Sequence, residues 1–455
     1  MLRKFKKHLI LLGIFFVFVS LGYVVFVYIF HKPNFELFAK DTISYSGLKA
    51  SIKTDNVKII SIDISGSKDG ESLVDIYKQD DFVDAGNEID IAIKFKENSP
   101  VVKMIRSENI DKFYLHYSIS YKNAFFTSFI KDKMILKIDF EPPTISNIKS
   151  DGYVYLGGVG YVLFDTSLDA VKSYVNTGAL KSFYPISIIR DNRISHLVFF
   201  TCSNKPCKNN EIVITAEDKT GNKVTRSKKI NTLRIKPWPV SNITINSSFL
   251  LAKFNEIKKE NRKSVGIKEF KELNINERKR NDEALTINTS KIRNELLFQG
   301  KFLQMKNSKV FSQYSEKRNY YLNNNENMID TKYHLGIDLA SVENANVYPS
   351  NKGIVSYVNN NGLGIYGKSV IIDHGIGFYS LYSHLSSILV KEGESVDRKV
   401  VIGHTGTTGY AFGDHLHFST YIQGVPFNPV ELFDKKYLDL KIVEIYSEFT
   451  KEKSE

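Results

Sequence analysis

The chain has 455 residues, of which 42% are hydrophobic and 25% charged; this excludes wholesale disorder and leaves room for about three domains of roughly 150 residues. Two cysteines without a CxxC pair exclude a disulfide scaffold and the common structural zinc module. The net charge of +12, from 62 basic and 50 acidic residues, is spread over scattered lysines with no basic-aromatic block. No nucleic-acid partner is expected from that pattern, whereas a mild attraction to an anionic envelope surface is compatible with it.

Leu9 to Phe30 is a run of 22 residues without a charge. As a helix it would span about 33 Å, enough to cross the hydrocarbon core of a bilayer. Arg3, Lys4, Lys6 and Lys7 precede it, which places residues 1–8 in the cytoplasm and everything after residue 30 beyond the inner (cytoplasmic) membrane, in the periplasm or outside the cell. A cleaved signal peptide has a shorter apolar core and a small-x-small site, which Val25 to Phe30 does not offer, so an uncleaved single-pass transmembrane helix over 9–30 is expected. Export implies an oxidising environment. Cys202 and Cys207 flank an Asn204-Lys205-Pro206 turn between two strand-like runs, where a tight-loop disulfide and a reduced pair are both open.

The exported part reads as mainly β. Short alternating runs such as Lys58 to Ile64 and Phe113 to Tyr121 predict half-buried strands in a β-rich domain over 41–141. Pro142-Pro143 breaks the chain. A second β-rich stretch, 142–239, ends in an Ala216–Asn222 turn that resembles the last hairpin of bacterial immunoglobulin-like modules, and Pro237-Trp238-Pro239 closes it. Both stretches are read as β-sandwich-like spacer domains. Over 240–297 the apolar residues Leu250, Phe254, Ile257, Phe270 and Leu273 recur at three- and four-residue spacings, which predicts a helical linker or arm interrupted at Gly266, with Ser247 or Ser248 as N-cap. Such an arm either packs on or links its neighbours, or closes over a site as a lid. Strand-like runs return after Phe298, and 436–455 read as a charged tail.

Six of the ten histidines fall between His334 and His417. His415 and His417 follow Gly413-Asp414 and precede Phe418, Thr420 and Tyr421, so they read as the start of a strand. Side chains two apart on a strand share a face, whereas on a helix they diverge by about 200°. Two imidazoles on a core face need a metal or an acid to satisfy them; a pair of surface histidines is the plainer reading. His334 and Asp338 flank Gly336, which with the β-branched Ile337 favours a bend into a strand over a helix. Two histidines, a carboxylate and a water form a standard donor set for catalytic zinc. No HExxH motif is present, so a helix-borne glutamate base is missing.

In order along the chain, Tyr333–Ala340 (YHLGIDLA), Pro349–Val355 (PSNKGIV), Val370–Gly377 (VIIDHGIG), Leu381–Leu385 (LYSHL), Gly393–Val396 (GESV), Gly403–Gly409 (GHTGTTG) and Gly413–Phe418 (GDHLHF) resemble the lysostaphin/LytM-type zinc metallopeptidases. The resemblance implies a C-terminal antiparallel-β peptidase domain over 298–435. It also implies Zn2+ held by His334, Asp338 and His417, with water as the fourth ligand, and His384 and His415 as two non-ligand catalytic histidines. Neither of these two is assigned a particular proton-transfer step. The implied activity is an endopeptidase acting on peptidoglycan stem-peptide crosslinks, at a D-alanyl–diaminopimelate bond if the envelope is Gram-negative. The alternative is a zinc-free LytM-type regulator or scaffold of cell-wall hydrolases, against which stands the presence of all five residues. Lys368 replaces the asparagine usual after Tyr366-Gly367, and Asp414 a proline usual before His415; both bear on the groove rather than the ligands. His374 and His404 read as structural histidines, Gly406 and Gly409 as turn residues, and His8, His31, His116 and His196 receive no role.

Overall fold

The computed structural model describes residues 127–451 apart from 179–180, 234–235 and 324–326, together with residues 19–20 and the elements between 35 and 122 named below. The proposed span 9–30 therefore lies outside the described residues save for 19–20. Among the described residues no helix is long and apolar enough to cross a membrane.

The chain divides into two compact units, one of residues 1–142 with 218–222, the other of 143–217 with 223–455. In the first, strands Phe35–Ala39, Leu48–Thr54 and Glu88–Ile93 form one sheet. Strands Thr42–Ile43, Lys58–Ser67, Val74–Asp80, Lys112–Lys122 and Thr127–Ile138 form another. Their inward residues, including Ile52, Ile62, Phe113, Ile119 and Leu136, share one core with Val101, Val102 and Ile105 of the helix Pro100–Ser107. Alternation along the 58–67 and 112–122 strands builds this core, because every second residue faces it.

In the second unit, strands Ile145–Ser150, Val159–Thr166, Ile186–Arg190 and Arg193–Thr201 make a four-stranded antiparallel sheet. Ala170–Asn176, Glu211–Asp218 and Lys223–Lys229 make a second sheet, and residues of both enter one core. Cys202 and Cys207 are joined by a disulfide in the loop that follows the 193–201 strand, with Cα atoms 5.1 Å apart. The expectation of a separate spacer over 142–239 is corrected here. Phe164, Leu197 and Ile214 share their core with Phe298, Phe378, Ile422 and Phe427, and the rings of Phe199 and Phe378 meet edge to face at 5.6 Å. Each sheet has a second apolar face to cover, and each covers the other's.

The region after residue 298 is built on an eight-stranded antiparallel sheet. Its path runs through Lys309–Ser312, Ile337–Ala340, Leu416–Ile422, Phe378–Leu385, Lys368–Asp373, Gly353–Asn359 and Ser395–Val396, with Val425–Phe427 paired to 416–422. The central strands 378–385 and 416–422 are buried along their whole length, so the polar side chains they carry, His384, His417 and Ser419 among them, need partners inside the protein.

Three expectations change in detail. Residues 240–245, assigned to the helical arm, are a strand, Val240–Ile245, that pairs in parallel with Lys317–Leu322. The N-cap of the helix Ser247–Lys258 is Asn246, whose side chain accepts from the Phe249 N–H at 2.8 Å; Ser247 is the first helical residue. Residues 436–455, expected as a charged tail, are helical to Thr450, and Leu438, Ile442 and Phe449 are buried in the shared core. With Ile445, which packs on the same core, they fall at four-, three- and four-residue spacings among charges, an amphipathic helix once a core is there to receive it.

Candidate active site

Three adjacent strands carry the site. His417 on strand 416–422 stands directly opposite Asp338 on strand 337–340 and opposite Ser383 on strand 378–385. His334 lies in the bend just before 337–340, as its glycine suggested. A side chain at Gly336 would place its Cβ 2.6 Å from the Phe418 carbonyl and 2.8 Å from the His417 ring, so only glycine lets the bend close against the neighbouring strand. His415 and His417 share a face. His384 sits in a bulge: its φ is 63°, and the pairing with 368–373 slips between Tyr382 and Leu385. The bulge turns the ring toward the other histidines, 4.8 Å from that of His415 and 5.8 Å from that of His417.

Nε2 of His334, Nδ1 of His417 and Oδ1 of Asp338 form a tight triangle, with separations of 2.9 Å between the rings, 2.9 Å from His417 to Asp338 and 3.1 Å from His334 to Asp338. All three residues are buried. Hydrogen bonding fixes what these atoms offer. His334 Nδ1 lies 3.0 Å from the Gln313 carbonyl, which can only accept, so in the neutral ring Nδ1 carries the hydrogen and Nε2 presents a lone pair. His417 Nε2 meets Ser419 Oγ at 2.8 Å and leaves Nδ1 toward the triangle. The His334 lone pair and the Asp338 carboxylate, facing one another in a buried site, repel unless a cation lies between them. Donors of a tetrahedral zinc, each bonded at about 2.0–2.1 Å, are about 3.3 Å apart, so the three residues fit that ion in type and spacing.

The other two histidines are held by the same device. His384 Nδ1 bonds the Thr408 carbonyl at 2.8 Å, and His415 Nδ1 the Gly413 carbonyl at 2.8 Å, leaving both Nε2 atoms for other partners. His415 Nε2 lies 3.6 Å from Asp338 Oδ1. Burial, with His415 and His417 beside it, holds His384 well below the usual histidine range. Burial also acts against the charged form of His415, but Asp338 outweighs it and shifts this histidine upward. Burial would raise Asp338, and the surrounding histidines instead hold it well below the usual carboxylate range.

The five residues line a cavity of about 800 Å³ that also takes in Phe311, Tyr333, Tyr366 and Phe412. Two segments assigned no chemistry from sequence enter its wall: Asn204 and Lys205 of the disulfide loop, and Arg278 and Asp282 of the arm. The arm is packed against the site's loops. Phe249 stacks on Phe412 at 4.4 Å, Glu256 accepts the Gly409 N–H at 2.7 Å, Asn281 accepts the Ile365 N–H at 2.8 Å, and Asp282 accepts the Tyr366 hydroxyl at 3.1 Å. Tyr366 in turn packs on His417 with ring centres 5.5 Å apart. Of the two departures, Lys368 donates from Nζ to the Ser386 carbonyl at 2.8 Å, and Asp414 Oδ2 accepts the Asn344 N–H at 3.2 Å; neither enters the triangle.

His374 and His404 stay out of the group. His374 is buried, with Nδ1 2.8 Å from the Lys352 carbonyl and Nε2 2.6 Å from Ser380 Oγ; His404 bonds Ser387 Oγ at 2.8 Å. Sequence reasoning did not find Ser312, Glu316 and Arg318. These residues surround the triangle from the 309–312 and 317–322 strands and the turn between them, and only the need of a buried carboxylate for a donor could have pointed to an arginine.

Residues 332–429 match the profile of peptidase family M23. Over 101 residues the chain is 39% identical to the DD-carboxypeptidase/endopeptidase Mpg of Neisseria meningitidis, covering 22% of this chain and 23% of that protein. Over 98 residues it is 39% identical to the peptidoglycan DD-endopeptidase ShyA of Vibrio cholerae, covering 22% of each chain. The chain thus spans under a quarter of the length of these curated relatives. Among solved structures, the catalytic domain of the antimicrobial peptidase lysostaphin from Staphylococcus simulans aligns with 26% identity and a TM-score of 0.23, covering 27% of this chain and 90% of that one. The matched residues 332–429 contain all five site residues, so the similarity to peptidase family M23 falls on the part of the chain that builds the site.

Proposed function

We propose that this chain is a zinc-dependent endopeptidase that hydrolyses peptide crosslinks of bacterial peptidoglycan. The observation that carries the reading is the buried triangle of His334, Asp338 and His417 with two further histidines whose free nitrogens face the same cavity. The substrate class is supported by the M23 match and by relatives named as peptidoglycan DD-endopeptidases. The zinc-free regulator reading needs a broken donor set, and this one is whole.

Held by His334 Nε2, His417 Nδ1 and Asp338 Oδ1, zinc would supply Lewis acidity toward the scissile carbonyl and lower the pKa of water at the site. The chain's own residues do the rest. His384 and His415 keep Nδ1 hydrogen-bonded to backbone carbonyls, so each presents Nε2 to accept a proton or, once protonated, to donate one to the leaving amine. A protonated ring there also stabilises negative charge on the carbonyl oxygen. The cavity's aromatic walls position the stem peptide and reduce water around the reacting bond. We further infer that residues 9–30 anchor the protein in the inner membrane, with the peptidase in the periplasm or outside the cell. The uncharged run and the preceding Arg3, Lys4, Lys6 and Lys7 support that placement.

The test is digestion of crosslinked sacculi by the full chain. Muropeptide monomers should be released, release should stop with a chelator, and it should return with Zn2+. Release that continues undiminished in chelator would remove the metal from the mechanism.

A further inference from the structure

Asp338 uses only one oxygen in the triangle. Oδ1 faces His334, His417 and His415, while Oδ2 lies 2.7 Å from Arg318 Nη2. The same Nη2 lies 2.6 Å from Ser312 Oγ. Ser312 stands opposite Asp338 across the 309–312 and 337–340 strands, and its Oγ is 3.1 Å from His334 Nδ1. Directions follow from which groups can donate. Arginine only donates, so Ser312 Oγ accepts from Arg318. The serine's single hydrogen then goes to the Glu316 carboxylate, with which Oγ makes a short bond. Ser312 Oγ is left to accept from the His334 Nδ1–H, which it shares with the Gln313 carbonyl. One guanidinium nitrogen therefore touches the Asp338 ligand directly and the His334 ligand through one hydroxyl.

We propose that Arg318 is a positioning residue that makes Asp338 a one-oxygen metal ligand and holds His334 in its lone-pair-forward tautomer. The proposal rests on the metal reading above and goes beyond the ligand set itself. With Oδ2 engaged by the guanidinium, the carboxylate cannot swing to present both oxygens to a cation, and a coordination position stays open for water or substrate. Lysine does not replace this arrangement, because both bonds leave Nη2 along directions that the planar guanidinium fixes, whereas an ammonium is a freely rotating point donor on a shorter stem.

The experiment uses the full chain stripped of metal and measures two quantities that do not depend on turnover. The first is the Zn2+ dissociation constant, by competition with a chromophoric chelator. The second is the visible spectrum with Co2+, whose absorption is stronger in four-coordinate than in five-coordinate sites. Arg318→Met should raise the Zn2+ Kd by about 10–100-fold, the usual loss when an outer partner of a ligand is removed, and should weaken the Co2+ absorption as Oδ2 joins the ion. Arg318→Lys should raise the Kd several-fold, and it decides the case should Arg318→Met fail to fold. A Kd within twofold of wild type together with an unchanged spectrum overturns the proposal. Absence of Zn2+ binding by the wild-type chain would instead overturn the metal reading on which it rests.

Discussion

His417 lies in the eight-stranded sheet and His374 directly follows its 368–373 strand, and their surroundings teach what separates a structural histidine from a candidate ligand. Both rings are buried, and both stand at about 4, pushed down by burial and, at His417, by the balance of Asp338 against His334 and His415. His374 has a carbonyl on one nitrogen and a hydroxyl on the other. His417 has a hydroxyl on one side, but its other nitrogen faces a second imidazole and a carboxylate. The first environment is complete without an ion and the second is not. Two buried carboxyls show the same contrast. Asp338 is held well below its usual range by the histidines despite its burial, whereas burial lifts Glu431 to about 7 against the opposing pull of Tyr437 and the Val159 N–H.

The largest expected effect breaks the comparison outright. His417→Ala should abolish both Zn2+ retention and sacculus digestion, measured by metal analysis and muropeptide chromatography. A variant that retained zinc and activity would put His417 in the same class as His374. Next in size, His384→Ala should keep its zinc yet lose about 10²–10⁴-fold in turnover, the range expected for removal of a proton-transfer group. His374→Ala should also leave metal content unchanged, and should lower stability by about 1–3 kcal/mol, because the Lys352 carbonyl and Ser380 hydroxyl lose their buried partner. A denaturation curve together with metal analysis would show whether those two readouts separate as stated.

The remaining effect concerns pH. Glu431 binds its proton more tightly folded, near 7, than unfolded, near 4.5. Between those values the native state therefore holds more protons. The contribution is fully present below about 4.5 and is lost as pH rises through about 7, amounting to about 3 kcal/mol. Glu431→Gln should remove this slope, so the stability difference between wild type and variant should change across that window. A difference that is flat from pH 4 to pH 8 would show that the carboxyl titrates normally.

Much of the site was legible because its chemistry depends on short spacings. His415 and His417 two apart on a strand, and His334 and Asp338 around a glycine bend, fix local directions whatever lies around them. Arg318, Ser312 and the arm's Asp282 were illegible, since each reaches the site by pairing between distant strands or helices and none carries a local pattern of its own. The C-terminal segment misled for a related reason. Leu438, Ile442 and Phe449 are spaced as a helical face, but charges dominate the stretch, and only a waiting core makes the apolar face count.

By itself the sequence determined the strand-rich character of the chain, the two short segments that carry the candidate ligands and the histidines that could serve chemistry, because periods of two residues and glycine bends act within a few bonds. Tertiary structure alone decided that the 143–217 sheets and the eight-stranded sheet share one core, that the arm walls the cavity, and that ring nitrogens of His334 and His417 converge on Asp338. Those outcomes depend on which apolar faces cover one another and on bonds between residues far apart in the chain, and neither is written in local spacing.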